Sequence, residues 1–189
     1  MTDEQVLAEA LKVLKEGGTI LYPTDTVWGI GCDATNADAV AKVYAIKRRS
    51  EAKSLVLLAA DLDMVARYVR QIPPMAIDLV EVNDVPMTII YPEGIGLASN
   101  AVAEDGSVGI RIPMSDFCLG LLRKFRRPIV STSANISGEP TPKAFKEISP
   151  EIVSAVDFAV PGRFAKGSTG KASQIIKVGL GGEIEIIRG

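Results

Sequence analysis

The sequence of 189 residues contains no histidine, and this absence excludes several kinds of chemistry. A Ser-His-Asp or Cys-His nucleophile relay and a histidine-bound zinc site all require a residue that the chain lacks. The side chain that most often transfers protons near neutral pH is missing as well. Any reaction carried out by this protein must therefore proceed without histidine as the general base.

Cysteines and long apolar runs are also scarce. The two cysteines, Cys32 and Cys118, have a spacing that is typical of neither a metal site nor a redox pair. The first residues lack the apolar core of a signal peptide, and the longest strongly apolar run, LVLLAA at residues 55–60, is far shorter than the roughly 18 residues of a membrane span. We expect a cytoplasmic protein with reduced thiols and no membrane contact.

Positive and negative charges nearly balance. The formal net charge is -2, from 21 Lys and Arg and 23 Asp and Glu. So small a net charge argues against electrostatic binding of nucleic acid over the whole surface. It does not exclude a local basic patch. Hydrophobic residues make up 47% of the chain, enough for one well-buried core, and no linker or repeat marks a boundary. We expect residues 1–189 to form one domain.

Hydrophobic periodicity and turn residues predict an alternating α/β chain. The first helix has an apolar face that includes Leu7 and Leu14, with Asp3 as its cap, and the second begins at Asn36 and ends near the basic residues 47–49. Further helices are predicted at residues 61–71, 74–82 and 115–125, and strands at residues 19–23, 54–60, 87–91, 107–112, 128–132, 173–178 and 183–188.

Two familiar phosphate-binding motifs fail when their context is considered. GIGCDA at residues 29–34 fits G-x-G-x-x-A, but no strand directly precedes it and no helix is predicted to open at its second glycine. GKA at residues 170–172 lacks both the earlier glycine and the Ser or Thr of a P-loop. A phosphate site in this protein must therefore be built from side-chain cations and hydroxyls.

Polar segments follow several predicted elements, at the positions where active sites collect in open α/β sheets. Each segment has an ordinary structural alternative: the threonines of YPTDTVWG suit a turn, the KRR cluster suits a solvated helix end, and STSAN suits turns and caps. Arg111 lies among apolar strand residues and therefore requires an anionic partner. That partner is either a ligand or a structural carboxylate, and the sequence leaves both open.

Four segments occur in a characteristic order along the chain: YPTDTVWGIGCDA, Lys47-x-Arg49, SVGIRIP and STSANISGEPTP. Their order and context resemble the YrdC-like threonylcarbamoyl-AMP synthase family. The similarity extends from about Gly18 to the last strands, and it is to the short form without an added C-terminal domain. The resemblance implies an α/β fold in which a twisted, mostly mixed sheet is flanked by helices and forms a concave ligand pocket.

The same resemblance implies a nucleotidyltransferase that makes threonylcarbamoyl-AMP and pyrophosphate from L-threonine, bicarbonate and ATP, with Mg²⁺ on the phosphates. The product supplies downstream threonylcarbamoyl-transfer proteins that modify transfer RNA, and weak RNA binding is a further expectation. Threonine and bicarbonate form a carbamate whose oxygen is already anionic, so its attack on the α-phosphate requires positioning and charge neutralisation more than a proton acceptor. A chain without histidine is compatible with this chemistry.

The family motifs, matched position by position, imply a set of site residues with no protein ligand to a metal. The catalytic group implied comprises Lys47, Arg49, Ser133 and Asn135, of which the two cations contact the triphosphate. The resemblance places Ser107, Thr141 and Ser173 towards the nucleotide as well. On the threonine side it implies Arg111 as a clamp on the carboxylate, together with Tyr22, Thr24, Ser54 and Ser131.

Two other functions remain open at this stage. A module that binds structured RNA would need an excess of positive charge, which this chain does not have. A carbamoyl-adenylate-forming relative of the same fold, similar to a domain of hydrogenase maturation proteins, would use carbamoyl phosphate in place of threonine and bicarbonate.

Overall fold

A computed structural model describes residues 1–49 and 55–189. Its helices are α1 (Asp3–Lys15), α2 (Ala37–Lys47), α3 (Leu62–Tyr68), α4 (Pro74–Val82), α5 (Asp116–Phe125) and α6 (Pro150–Ala155). Its strands are β1 (Ile20–Pro23), β2 (Trp28–Gly31), β3 (Val56–Leu58), β4 (Met87–Tyr91), β5 (Val108–Arg111), β6 (Ile129–Val130), β7 (Thr132–Ser133), β8 (Phe158–Ala159), β9 (Gln174–Val178) and β10 (Ile184–Arg188).

The strands form two mixed sheets. One has the order β7-β2-β1-β8, and the other has the order β10-β9-β4-β5-β3-β6. In the small sheet β1 is antiparallel to β2 and parallel to β8, and in the large sheet β4 is antiparallel to β5 and parallel to β9. The predicted α/β class with mixed strand directions is confirmed, with the strands divided between two sheets.

The division occurs at Ser131. The sequence predicted one strand over residues 128–132, but the chain leaves the large sheet after β6 and enters the small sheet with β7, so that Ser131 alone lies between them. Its backbone N–H donates to the carbonyl of Val56 at 2.8 Å. This residue therefore stands where the two sheets meet.

Local signals placed the helix starts well, with one correction. The second helix was predicted to begin at Asn36, and Asn36 is the N-cap of α2, where its side chain accepts from the N–H of Ala39 at 3.1 Å. The cap of α1 is Thr2 and not Asp3, because Thr2 and Gln5 form a reciprocal capping box in which each side chain accepts from the other's backbone N–H. Asp3 lies in the first turn, where a carboxylate favours the positive end of the helix.

Strand β2, which forms a hairpin with β1, was not predicted. Its sequence, WGIG, contains two glycines, and glycine has a low preference for strands. Tertiary contacts explain why residue 31 is a glycine. A Cβ added to Gly31 would lie 2.5 Å from the carbonyl oxygen of Val130 and 2.6 Å from the ring of Tyr22. The close approach of β6 and of the Tyr22 ring therefore requires glycine here.

We expect Gly31→Ala to lower the free energy of unfolding by about 2–3 kcal/mol, because backbone and a buried ring must move to admit the methyl group. Urea unfolding of the purified variant measures this. Gly120→Ala is the matched control, since a Cβ there meets nothing within 4 Å and alanine is the better helix former inside α5. Equal stability of the two variants would contradict the packing argument.

The core is apolar and continuous. It includes fully buried side chains from α1, from the small sheet and from the large sheet, such as Leu14, Leu21 and Ile110. Cys32 and Cys118 are buried and do not form a disulfide with each other. Among the helices in the described part of the chain, none is both long enough and apolar enough to cross a membrane.

Candidate active site

A cavity of about 350 Å³ is lined by residues of both sheets. Strands β2 and β7 contribute from the small sheet, and β3, β4, β5, β9 and β10 contribute from the large sheet. Its volume is within the usual range for small-molecule sites, roughly 300–1,000 Å³. The cavity therefore lies where the chain passes from one sheet to the other.

Seven of the predicted site residues line this cavity, and they come from distant parts of the sequence. They are Arg49, Ser107, Arg111, Ser131, Ser133, Thr141 and Ser173. The remaining predictions, Tyr22, Thr24, Lys47 and Asn135, lie behind or beside the lining. Ser54 lies outside the described residues.

Lys47 connects the end of α2 to the STSAN segment. It is 2% exposed, and its Nζ donates to the backbone oxygens of Ser133 at 2.6 Å and Asn135 at 2.8 Å. The hydroxyl of Ser133 and Oδ1 of Asn135 both lie 3.4 Å from the same nitrogen. One ammonium group therefore fixes the direction of both the serine and the asparagine.

Burial and the neighbouring guanidinium of Arg49 lower the pKa of Lys47 to about 8. Both effects disfavour a positive charge, the first through loss of hydration and the second through repulsion. The two carbonyl contacts act in the opposite direction, because they accept hydrogen bonds from the ammonium. An anion bound beside these two cations would stabilise the charged form further.

The backbone at Arg48 separates the roles of its two neighbours. Arg48 ends α2 in the left-handed region, with φ of 52°, and its side chain pairs with Glu151 on the surface. Since the chain turns sharply there, Lys47 is directed under the STSAN segment while Arg49 lines the cavity. The Lys-x-Arg spacing thus provides one positioning cation and one lining cation.

Arg111 forms a buried ion pair at the cavity wall. Its Nη1 donates to Oδ1 of Asp25 at 2.7 Å, and its Nη2 lies 3.3 Å from the hydroxyl of Thr26. The side chains of Arg111 and Asp25 are 3% and 7% exposed. Arg111 therefore has a structural carboxylate partner, one of the two alternatives that the sequence left open. The guanidinium of Arg111 also lines the cavity.

Tyr22 and Thr24 support the site without lining it. The buried hydroxyl of Tyr22 donates to the carbonyl of Val130 at 2.9 Å, and burial raises its pKa well above the ordinary value, so it stays protonated. Thr24 donates to the carbonyl of Val27 at 2.7 Å and accepts from the N–H of Thr26 at 3.1 Å. Thr24 therefore shapes the turn that carries Thr26, and Tyr22 connects β1 to the end of β6, next to Ser131.

The hydroxyls on the large sheet are held by local partners. Ser107 donates to Oδ1 of Asp105 at 2.6 Å, and this hydrogen bond together with one from the Ser107 backbone N–H lowers the pKa of Asp105. Ser173 shares a hydrogen bond of 2.7 Å with Thr88, and its carbonyl accepts from Nε of Arg188 at 2.8 Å. These contacts present fixed polar groups along one wall.

Sequence reasoning missed four polar lining residues: Thr26, Thr88, Thr132 and Arg188. Thr26 and Thr132 belong to segments that were identified, but they were not selected among the hydroxyls of those segments. Thr88 and Arg188 lie on predicted strands, where an alternation of inward and outward side chains does not show which face borders a cavity. Arg188 adds a third guanidinium to Arg49 and Arg111.

The lining therefore combines three guanidinium groups with several hydroxyls, and it includes no carboxylate among the residues described. No cluster of three or more Cys, Asp and Glu suited to a metal ion occurs in residues 1–49 and 55–189. Such a site favours a polyanionic ligand that needs charge neutralisation and orientation.

The family model described as telomere recombination, for Sua5, YciO and YrdC, matches residues 12–189. The chain belongs to this family. Members named threonylcarbamoyl-AMP synthase include one from Stenotrophomonas maltophilia, 35% identical over 162 residues that cover 84% of this chain and 87% of the relative. Another, from Xanthomonas euvesicatoria pv. vesicatoria, is 31% identical over 178 residues that cover 93% of this chain and 94% of the relative.

Solved structures of the Sua5/YciO/YrdC family have the same fold. Sua5 of P. abyssi in complex with L-threonine has a TM-score of 0.85 at 25% identity, over 94% of this chain and 52% of Sua5, so the present chain spans about half the length of that protein. E. coli YciO has a TM-score of 0.80 at 20% identity, over 100% of this chain and 90% of that one. The predicted YrdC-like fold is therefore confirmed.

Proposed function

We propose that the protein is a threonylcarbamoyl-AMP synthase, a nucleotidyltransferase that uses L-threonine, bicarbonate and ATP. The observation that carries this proposal is the contact between Lys47 and the backbone of Ser133 and Asn135, beside a cavity lined by Arg49 and Arg111. The names of the curated relatives and the threonine complex of P. abyssi Sua5 support the choice of substrates.

The bond changes need no histidine. Threonine and bicarbonate condense to a carbamate and water. A carbamate oxygen then attacks the α-phosphorus of ATP, and the bond from that phosphorus to the β-phosphate oxygen breaks to release pyrophosphate. Because the attacking oxygen is already anionic, the phosphoryl step requires alignment and neutralisation of negative charge rather than removal of a proton.

We divide the site residues by the substrate that each one contacts in this proposal. Arg49 neutralises the triphosphate, and Lys47 adds charge while it holds Ser133 and Asn135 in place for the nucleotide and the reacting centre. Arg111 binds the threonine carboxylate through its planar fork. We assign Ser107, Thr141 and Ser173 to the nucleotide, and Ser131 and the Thr24–Thr26 turn next to Tyr22 to threonine.

Magnesium fits this site only as a partner of the substrate. Among the residues described, the lining offers hydroxyls and guanidinium groups but no carboxylate. Mg²⁺ usually keeps several waters and binds phosphate oxygens at nucleotide sites. We therefore assign its ligands to the triphosphate and water, and no step above depends on it.

Release of pyrophosphate, measured with each reactant omitted in turn, tests the function. The proposal expects product only when threonine, bicarbonate and ATP are all present, and mass spectrometry should then detect threonylcarbamoyl-AMP. Release that depends on carbamoyl phosphate would indicate the carbamoyl-adenylate reaction instead. Absence of turnover together with tight RNA binding would favour a binding module.

Arg49→Ala should lower turnover tenfold or more while leaving the thermal midpoint within about 2 °C of the parent protein, because the lining cation is removed without opening the core. Arg123→Ala is the matched control, since Arg123 is an exposed arginine in the last turn of α5. Parallel pyrophosphate assays and thermal melts give both quantities. Equal activity of the two variants would remove Arg49 from the triphosphate site.

The product of this reaction is a mixed anhydride that must be passed on before it hydrolyses. We propose that it supplies threonylcarbamoyl-transfer proteins that act on transfer RNA in the cytoplasm. Weak RNA binding is part of the same proposal.

A further inference from the structure

A second, larger cavity of about 870 Å³ lies next to the proposed active site. Asp25 belongs to its lining, while the next residue, Thr26, lines the first cavity. The ion pair between Asp25 and Arg111 thus stands in the wall between the two cavities. None of the roles proposed above uses the second cavity.

The second cavity is rich in negative charge. Five carboxylates and two basic side chains line it: Asp3, Glu4, Asp25, Asp84, Asp116, Arg163 and Lys166. Arg163 is already engaged, because its Nη2 donates to Oδ1 of Asp3 at 3.0 Å and to the carbonyl of Met1 at 2.8 Å. The remaining side chains of the lining carry an excess of negative charge, which favours a positively charged ligand.

A buried carboxylate oxygen points to the same conclusion. Asp25 is 6% exposed, and its Oδ1 accepts from Arg111 at 2.7 Å. Its other oxygen, Oδ2, is buried and has no hydrogen-bond partner within the described part of the chain. A buried acceptor without a donor is unfavourable, so a ligand that brings N–H donors to Asp25 would be stabilised there.

Apolar side chains form the rest of the wall. Phe117 and Phe164 contact each other with ring centroids 5.2 Å apart, and Leu7 and Met114 lie in the same lining. These surfaces suit an apolar or aromatic group of moderate size. The volume is within the roughly 300–1,000 Å³ that is typical of small-molecule sites.

We propose that this second cavity binds a small organic ammonium compound with an apolar or aromatic body. Its ammonium group donates to the Asp25 carboxylate, and its body packs against Phe117 and Phe164. Asp84 and Asp116 contribute longer-range attraction from the rim.

The site is coupled to the first cavity through Asp25. An ammonium group at Asp25 competes for the carboxylate that holds Arg111, and so leaves more of the guanidinium's hydrogen-bonding capacity for a carboxylate in the first cavity. This coupling rests on the proposed function, because it assigns the threonine carboxylate to Arg111. By linkage the amine then strengthens threonine binding, and threonine strengthens amine binding by the same factor.

Three probes of similar shape test the site by calorimetric titration: 2-phenylethylamine, neutral 2-phenylethanol and anionic 3-phenylpropanoate. We expect the amine to bind at least tenfold more tightly than the alcohol, and the propanoate to show no detectable binding. Equal affinity of amine and alcohol, or no amine binding up to millimolar concentration, would overturn the proposal.

Variants locate the site. Asp84→Asn with Asp116→Asn should weaken amine binding fivefold or more, whereas Asp78→Asn with Asp38→Asn should not change it. The control is matched, because Asp38 and Asp116 both lie in the first turn of a capped helix and Asp78 and Asp84 are both exposed. Equal losses in the two double variants would show that the amine responds only to net charge and would overturn the assignment.

The coupling has its own readout. Threonine affinity measured with saturating amine should rise by the factor by which threonine raises amine affinity. A titration of the amine without threonine tests the second site independently of the proposed function. If threonine fails to bind at all while the amine binds as expected, the proposed function fails and the second site stands. If both bind without mutual effect, the proposed coupling through Asp25 is wrong.

Discussion

Lys47→Met is expected to reduce turnover a hundredfold or more and to lower the free energy of unfolding by about 3 kcal/mol. Methionine keeps most of the aliphatic stem but supplies no donor. The carbonyl of Asn135 would lose the ammonium that donates to it at 2.8 Å, and the carbonyl of Ser133 would be left with the N–H of Asn135 at 2.9 Å, in a site where Lys47 is 2% exposed. Activity falls as well, because the STSAN segment loses its orientation and the site loses a cation.

Lys42→Met is the control for this change. Lys42 also lies on α2, and its Nζ donates to the carbonyl of Gly17 at 3.1 Å. We expect it to change the unfolding free energy by less than about 1 kcal/mol and to leave turnover near that of the parent. Urea unfolding and pyrophosphate release measure both variants. A Lys47→Met protein that matches the Lys42 control in both would show that the contact has no role.

Asp25→Leu should be the most destabilising single change considered, by about 3–5 kcal/mol, because it leaves the Arg111 guanidinium buried without its counter-charge. Arg111→Met should cost a similar amount by isolating the carboxylate. The double variant Asp25→Leu with Arg111→Met should recover most of the lost stability, since two apolar side chains can replace a buried ion pair. It should nonetheless lose threonine binding.

A double-mutant cycle measured by urea unfolding tests the expected stability changes, and calorimetric titration of threonine tests the expected loss of binding. Costs that simply add would show that the two side chains are not coupled, despite their separation of 2.7 Å. Threonine affinity that survives in the double variant would move the carboxylate site away from Arg111. The expected pattern is that the pair is retained for ligand binding rather than for stability.

Individual residues show which features of the fold could be predicted from the sequence. The Asn36 cap and the bounds of β4 followed from local signals, because an N-cap and an apolar strand of branched residues depend on their immediate neighbours. The hairpin strand β2 did not, since its glycines are required by a ring and a carbonyl that come from elsewhere in the chain. The type of these elements could therefore be predicted from neighbouring residues, whereas close packing between distant residues could not.

The same distinction applies to the cavity. The family motifs identified Arg49, Arg111 and Ser133, all of which line it. They did not show that Lys47 contacts the STSAN backbone while Arg49 lines the cavity, an arrangement that follows the left-handed conformation of Arg48. Nor could they select Asp25 as the partner of Arg111, because the two lie 86 positions apart and many other carboxylates were available.

The small sheet also has a consequence for the order in which the protein folds during its synthesis. Strand β1 pairs with β8, so that Ile20 lies opposite Phe158, and the backbone N–H of Thr19 donates to Asp157 at 2.7 Å. A nascent chain that has not yet released residues 157–159 from the ribosome therefore exposes one edge of β1, which is an opening for incorrect pairing. Early translation products should depend on chaperones more than the finished chain does.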